Sequence, residues 1–157
     1  MRIRPTPEGW WFLLLILGVL MASLNTGNNL LYLLLALLLA LLVMQNVLAE
    51  WHFRGLSVGR RLPSEAFAGE GVKGELWIMN NRRALASFSL VLKEEQNASA
   101  VAAVSWVGPG QQVHVPATYT FAARGTQSLG RITLASSFPF GLFTRKRSLD
   151  APAEMLV

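Results

Sequence analysis

The spacing of apolar residues along the chain changes near residue 50. Residues 9–49 are 41 consecutive positions without a charged side chain. The polar segment Asn25-Thr-Gly-Asn-Asn29 divides them into two apolar runs, and only Gln45 and Asn46 are strongly polar in the second. About 20 apolar residues are enough to cross a bilayer as a helix, and a polar turn centred on glycine suits a reversal of the chain. The pattern therefore predicts a two-span transmembrane hairpin over residues 1–52, with spans of about 7–24 and 30–49.

Local signals mark where the first helix starts and how the hairpin packs. Thr6 can cap the free backbone N–H groups of the helix, and Pro7 and Glu8 suit its first turn. Small residues recur at four-residue spacing in both spans, which permits close approach of two helices. We expect helix–helix contact at Gly18, Ala22, Ala36 and Ala40.

From residue 54 onward the apolar period becomes two, which is typical of β-strands. Leu76 and Ile78 alternate with Glu75 and Trp77, and Phe88, Leu90 and Leu92 are expected to share one face of another strand. About seven such runs, separated by turn residues, follow without a long amphipathic helix. The pattern predicts that residues 53–157 form an all-β domain, an antiparallel immunoglobulin-like β-sandwich.

Basic residues predict the orientation of the hairpin in the membrane. Arg2 and Arg4 precede the first span, Arg54, Arg60 and Arg61 follow the second, and the turn between them has none. Because positive residues favour the cytoplasmic side, both termini and the β-domain are expected in the cytoplasm. A signal peptide is the alternative for the first apolar run, but a small-residue cleavage pattern is poorly formed there.

The absence of cysteine excludes disulfides and thiolate metal sites. The net charge of +5 is compatible with binding to nucleic acid. Residues 50–157 hold 12 basic and 8 acidic side chains, with the bases in short separate groups. Proximity to anionic lipid accounts for such groups, so we favour lipid over nucleic acid. The candidate lipid-headgroup residues are Arg54, Arg60, Arg61, Arg145, Lys146 and Arg147.

Few residues of the chain could carry out catalysis. The only histidines are His52 and His114, Asp150 is the only aspartate, and no nucleophile, phosphate-loop or dinucleotide motif is present. We expect both histidines at the surface and the Glu94-Glu95 pair in a solvated turn. No catalytic residue, metal site or cofactor is predicted.

An aromatic segment near the end of the chain has two interpretations. Phe138-Pro-Phe-Gly-Leu-Phe143 contains turn residues at Pro139 and Gly141. Its phenylalanines could close one end of the sandwich core, or the segment could form an exposed patch that docks another protein. The candidate partner-docking residues are Phe138, Pro139, Phe140, Gly141, Leu142 and Phe143.

Three segments resemble a known family: Arg4-Pro-Thr-Pro-Glu-Gly-Trp10, Leu24-Asn-Thr-Gly-Asn-Asn-Leu-Leu-Tyr-Leu34, and Arg124-Gly with Leu129-Gly130, Leu134 and Pro139-Phe-Gly-Leu-Phe143. Together they are similar to the amino-terminal half of the bacterial "domain of unknown function fifty-eight" membrane proteins. In that family a two-helix anchor and a β-sandwich precede a region resembling a von Willebrand A-type domain. The resemblance implies a bacterial inner-membrane location and, as partners, a MoxR-type ATPase and a transglutaminase-like membrane protein.

The von Willebrand A-like region is absent from these 157 residues, so no activity that resides there is carried over. We expect a truncated product, a fragment or one half of a split pair. The favoured hypothesis is a non-enzymatic, membrane-anchored scaffold. The alternatives are the non-catalytic anchor half of an envelope-metabolism enzyme and, less favoured, a membrane-associated nucleic-acid binder.

Overall fold

The computed structural model describes residues 2–63 and 66–157, which fall into two compact units. The helical unit contains Ile3–His52 and Ser137–Arg145. The β-unit contains Arg2 and the described residues of Phe53–Ser136 and Lys146–Val157. The sequence predicts residues 137–145, here called the turn segment, as part of the β-domain, whereas the structure groups them with the helices.

Two helices make up most of the helical unit: α1 is Pro7–Thr26 and α2 is Asn29–Phe53. Thr6 caps α1 as predicted, because its side chain accepts a hydrogen bond from the backbone N–H of Gly9 at 3.0 Å. Gly27 ends α1 in the left-handed conformation that glycine adopts without a steric penalty. Because an α-helix rises about 1.5 Å per residue, both helices are long enough to cross a membrane, and both are apolar enough.

The inward side of α2 is a leucine-rich seam. Less exposed positions recur at alternating steps of four and three residues, as in the contact face of paired helices: Leu31, Leu35, Leu38, Leu42, Gln45 and Ala49. Leu41, Asn46, Leu48 and Glu50 beside them are also half-buried. Gly18, Ala36 and Ala40 are exposed, and a Cβ atom added at Gly18 would meet nothing within 4 Å. The predicted close contact at these small residues is therefore wrong, because leucines occupy the inward face; Ala22 is half-buried.

Eight strands form two sheets, and they confirm the predicted fold class of a helical hairpin followed by an all-β domain. The larger sheet has the order β1-β8-β7-β4-β5 and the smaller has the order β2-β3-β6. The strands are β1 Arg2–Pro5, β2 Leu56–Arg61, β3 Gly71–Asn80, β4 Ser87–Glu94, β5 Val101–Val107, β6 Gln112–Thr120, β7 Thr126–Ser136 and β8 Phe143–Leu156.

Alternating residues of both sheets build the core of the β-unit. Leu76 and Ile78 of β3 are fully buried, as are Leu90 and Leu92 of β4. Phe88, by contrast, is 39% exposed, so its predicted place on the same face as Leu90 is wrong. Ser89 lies between them with a φ of 48°, and this left-handed residue interrupts the regular alternation of faces.

The packing of α1 predicts that substitution by leucine destabilises the chain at one position of this helix and has no effect at another. Ser23 is fully buried, whereas Gly18 is exposed. We expect Ser23→Leu to lower the thermal unfolding midpoint of the detergent-solubilised chain, because overfilling a packed site costs about 1–3 kcal/mol. Gly18→Leu, the control, should leave the midpoint unchanged. Equal midpoints for the two variants would contradict this assignment of faces.

Candidate functional site

A buried ion pair joins the two sheets of the β-unit. Arg60 belongs to β2 of the smaller sheet and Glu94 to the end of β4 in the larger one. The Arg60 Nε and Glu94 Oε2 atoms are 3.1 Å apart, and the side chains are 2% and 0% exposed. Glu94 is thus not in a solvated turn, so that prediction is wrong for this residue. Two charges withdrawn from water require each other, because an unpaired buried charge is strongly destabilising.

Tyr119 of β6 adds a third ionisable group to this buried cluster. Burial raises the pKa of Tyr119 to about 12, and the negative charge of Glu94 adds to that shift. Burial also raises the pKa of Glu94, and the nearby Arg60 guanidinium partly offsets it. Among the described residues, the Tyr119 hydroxyl has no hydrogen-bond partner. The phenol stays protonated at neutral pH, so the cluster places one polar hydroxyl beside a buried ion pair.

A polar groove of about 820 Å³ lies on the β-unit. One Glu95 carboxylate oxygen accepts hydrogen bonds from the hydroxyls of Thr133 and Ser148, and these bonds lower the pKa of Glu95. The basic side chains in its lining are Arg2, Lys93, Lys146 and Arg147. The groove therefore combines several positive charges with a carboxylate that stays ionised.

In the helical unit, the N-terminus of α1 holds the turn segment. The Thr6 backbone N–H donates to the Leu142 carbonyl at 3.0 Å, and the Thr6 hydroxyl donates to the Gly141 carbonyl at 2.7 Å. Gly9 permits this approach, since a Cβ atom there would lie 1.9 Å from the Leu142 oxygen. The Gly141 N–H closes the turn on the Ser137 carbonyl at 2.9 Å.

The polar residues at the end of α2 hold the other side of the turn segment. The Phe140 N–H donates to Gln45 Oε1 at 3.0 Å. Arg145 is 6% exposed and donates to Glu50 Oε2 at 3.0 Å and to Asn46 Oδ1 at 2.8 Å. Sequence reasoning missed these contacts, although Gln45 and Asn46 are conspicuous as the only strongly polar residues of the second apolar run.

The aromatic residues of the turn segment lie with the helices. Phe138 stacks on His52 with ring centroids 4.7 Å apart. The hydrophobic core of the β-unit, including the partly buried residues that pack against it, does not contain Phe138, Phe140 or Phe143. The interpretation that these phenylalanines close one end of the sandwich is therefore wrong. Phe140 is 48% exposed, and the other five candidate docking residues are half-buried.

The predicted lipid-headgroup residues separate into two groups. Arg54, Arg61, Lys146 and Arg147 are exposed. Arg60 and Arg145 are buried in the ion pairs with Glu94 and Glu50, so neither guanidinium is available to a headgroup and the prediction is wrong for both.

The two histidines also differ from each other. His114 is half-exposed beside Glu75, with Nδ1 3.3 Å from Oε2, whereas His52 is 3% exposed and was wrongly expected at the surface. Across residues 2–63 and 66–157, no group of three histidine, aspartate or glutamate side chains is placed to hold a metal ion.

Comparison with models of known protein families finds no match, and comparison with curated protein sequences finds none either. The resemblance to the "domain of unknown function fifty-eight" proteins therefore stays a prediction.

The buried ion pair predicts non-additive effects of mutation. Arg60→Met alone should cost about 3–5 kcal/mol of unfolding free energy, because it leaves the Glu94 carboxylate buried without its partner. Adding Glu94→Leu should recover most of that loss, measured by denaturant titration as a double-mutant cycle. Additive losses would contradict the pairing.

The pH dependence of the Arg60→Met variant provides a second measurement. Without Arg60, the pKa of Glu94 should rise further, so the folded chain binds the proton more tightly than the unfolded chain. The loss of unfolding free energy in Arg60→Met should be greatest above the raised pKa of Glu94. It should shrink as the pH falls towards 4.5, the ordinary pKa of a glutamate carboxyl. The double variant, which lacks the carboxyl, is the control and should lack this dependence.

Proposed function

We propose that the protein is a non-enzymatic, membrane-anchored scaffold that presents its β-unit to protein partners at the bacterial inner membrane. The two apolar helices support the anchor, since each is long enough to cross a bilayer. In the proposed topology both spans are inserted, and both termini are cytoplasmic.

The observation that carries the proposal is an exposed apolar strip on β4 and β5. Phe88 and Trp106 are directly opposite each other in the register of the two strands, and they are 39% and 51% exposed. Val91 and Val101 extend the strip at 39% and 46% exposure. Clustered exposed aromatic and aliphatic side chains favour a protein interface, where tryptophan is often a dominant contact.

The strip lies at a suitable position for a partner. β5 is the last strand in the order of the larger sheet, so the strip adjoins a sheet edge. An edge offers backbone groups, and the strip offers apolar surface to the same partner. The family resemblance suggests a MoxR-type ATPase and a transglutaminase-like membrane protein as the first candidates.

The proposed topology predicts the outcome of reporter fusions. A reporter that is active only outside the cytoplasm should give no signal when fused after Val157. The same reporter inserted at Gly27, in the turn between the helices, should give a strong signal. The reverse result would place the β-unit outside the cytoplasm and would remove the cytosolic partners.

The apolar strip predicts which substitutions abolish partner capture. Phe88→Ser with Trp106→Ser should abolish capture of the MoxR-type ATPase or of the transglutaminase-like protein from solubilised membranes of the source cell. Phe67→Ser is the control, because Phe67 is 75% exposed but outside the strip. Unchanged capture by the double variant, or capture of neither candidate by the unmodified chain, would contradict the proposal.

The thermal unfolding midpoints of both variants show whether reduced capture comes from the changed surface or from unfolding. Reduced capture supports the proposal only in a variant whose midpoint equals that of the unmodified chain. Turnover of a substrate by the purified chain would contradict the non-enzymatic part of the proposal and would favour the envelope-enzyme alternative.

A further inference from the structure

The turn segment lies at the same level of the helical hairpin as an aromatic residue of α1. Trp10 is 17 residues before Gly27, and Gln45 is 17 residues after Asn28, so the two positions are equally far from the reversal of the chain. Gln45 holds the backbone of Phe140. Phe140 therefore lies at the level of Trp10, which is 58% exposed and is placed where interfacial tryptophans usually lie.

The charged end of the turn segment lies closer to the end of α2. Arg145 pairs with Glu50, the first charged residue after the 41-residue charge-free run. Glu50 is five residues beyond Gln45, which corresponds to about 7 Å along a helix. Arg145 also donates to Asn46, so its guanidinium extends along α2 between Asn46 and Glu50, and the Phe140 backbone lies on the deeper side of it, at Gln45.

Several backbone groups of the turn segment have hydrogen-bond partners within the helical unit. Non-helical backbone at membrane depth requires partners for its N–H and C=O groups. The Phe140 N–H has Gln45, the Gly141 N–H has Ser137, and Pro139 has no N–H to satisfy. The Gly141 and Leu142 carbonyls accept from Thr6. A polar glutamine inside an apolar span is costly without a partner; Gln45 Oε1 has the Phe140 N–H, whereas its buried Nε2 has no hydrogen-bond partner among the described residues.

From these contacts we infer that the turn segment is a third membrane-contacting element, which inserts the Phe140 ring into the boundary between lipid headgroups and acyl chains. This inference rests on the proposal that the two helices span the bilayer. The Phe140 backbone lies at the level of Trp10, and interfacial elements reach about 5–10 Å into this boundary. Its occupant is phospholipid rather than a protein partner.

The absence of cysteine from the chain allows a direct measurement of depth. Single cysteines at Phe140, Leu85 and Leu37 would carry a spin label in vesicles of phosphatidylethanolamine and phosphatidylglycerol. These positions are similarly exposed, at 48%, 50% and 57%, so exposure does not bias the comparison. Leu85 is in the loop between β3 and β4, and Leu37 is within α2. Accessibility to oxygen reports lipid, and accessibility to a water-soluble nickel chelate reports water.

We expect the label at position 140 to collide with oxygen and to be shielded from nickel several-fold better than the label at 85. Its depth should be shallower than that of the label at 37. Nickel accessibility equal to that at 85 would overturn the inference. A label at 140 that is shielded from both reagents would also overturn it, because protein rather than lipid would then cover the ring.

Two further measurements extend the test, and the first of them needs no label. A photoactivatable phospholipid should cross-link residues 138–143 of the unmodified chain, and no cross-link there would overturn the inference. Gln45→Leu should expose the label at 140 to nickel, because the Phe140 N–H loses its acceptor although the helix becomes more apolar. Unchanged depth in this variant would show that Gln45 does not hold the ring at its level.

Failure of the inference is distinguishable from failure of the membrane anchor. If the label at 37 is reached by nickel, the helices do not span and the proposed anchor fails. If the label at 37 contacts lipid while the label at 140 contacts water, the anchor stands and only the third contact fails.

Discussion

A backbone N–H or C=O group that leaves water must find another partner, and the helical unit is organised around this requirement. Thr6 caps α1 and also binds two consecutive carbonyls of a segment that follows more than 130 residues later. Gly9 leaves the space through which the Leu142 carbonyl approaches. Gln45, within the long apolar run of α2, supplies the acceptor for the Phe140 N–H. One capping residue, one glycine and one glutamine thus fix the turn segment.

The β-unit follows the same rule with full charges. Arg60 and Glu94 leave water together from opposite sheets, so each strand constrains where the other lies. Such a pair adds little net stability compared with apolar residues of equal size, but an alternative packing that separates the charges is heavily penalised. The pair therefore favours a single arrangement of the two sheets.

Local patterns in the sequence predict the helix start at Thr6, the two apolar helices and most of the strands. From the sequence we expect Arg60 at lipid headgroups and Glu94 in a solvated turn, whereas in the structure Arg60 shares the inward face of Leu56 and Val58, and Glu94 that of Leu90 and Leu92. The sequence pattern cannot show that Arg60 and Glu94 pair with each other, because pairing depends on which strands face one another. The hydrogen bonds that Gln45 accepts from Phe140 and Glu50 accepts from Arg145 each join residues 95 positions apart, which no local period can detect.

The wrong predictions share a physical cause. Small residues at four-residue spacing permit close helix contact but do not require it, so Gly18 and Ala36 face outward without penalty. A polar residue in an apolar run does require a partner, because water is not available to it there. Gln45, Arg60 and Glu94 all break an apolar pattern, and each contacts a distant segment of its own unit. A residue that breaks the pattern is therefore better evidence of a tertiary contact than a residue that merely permits one.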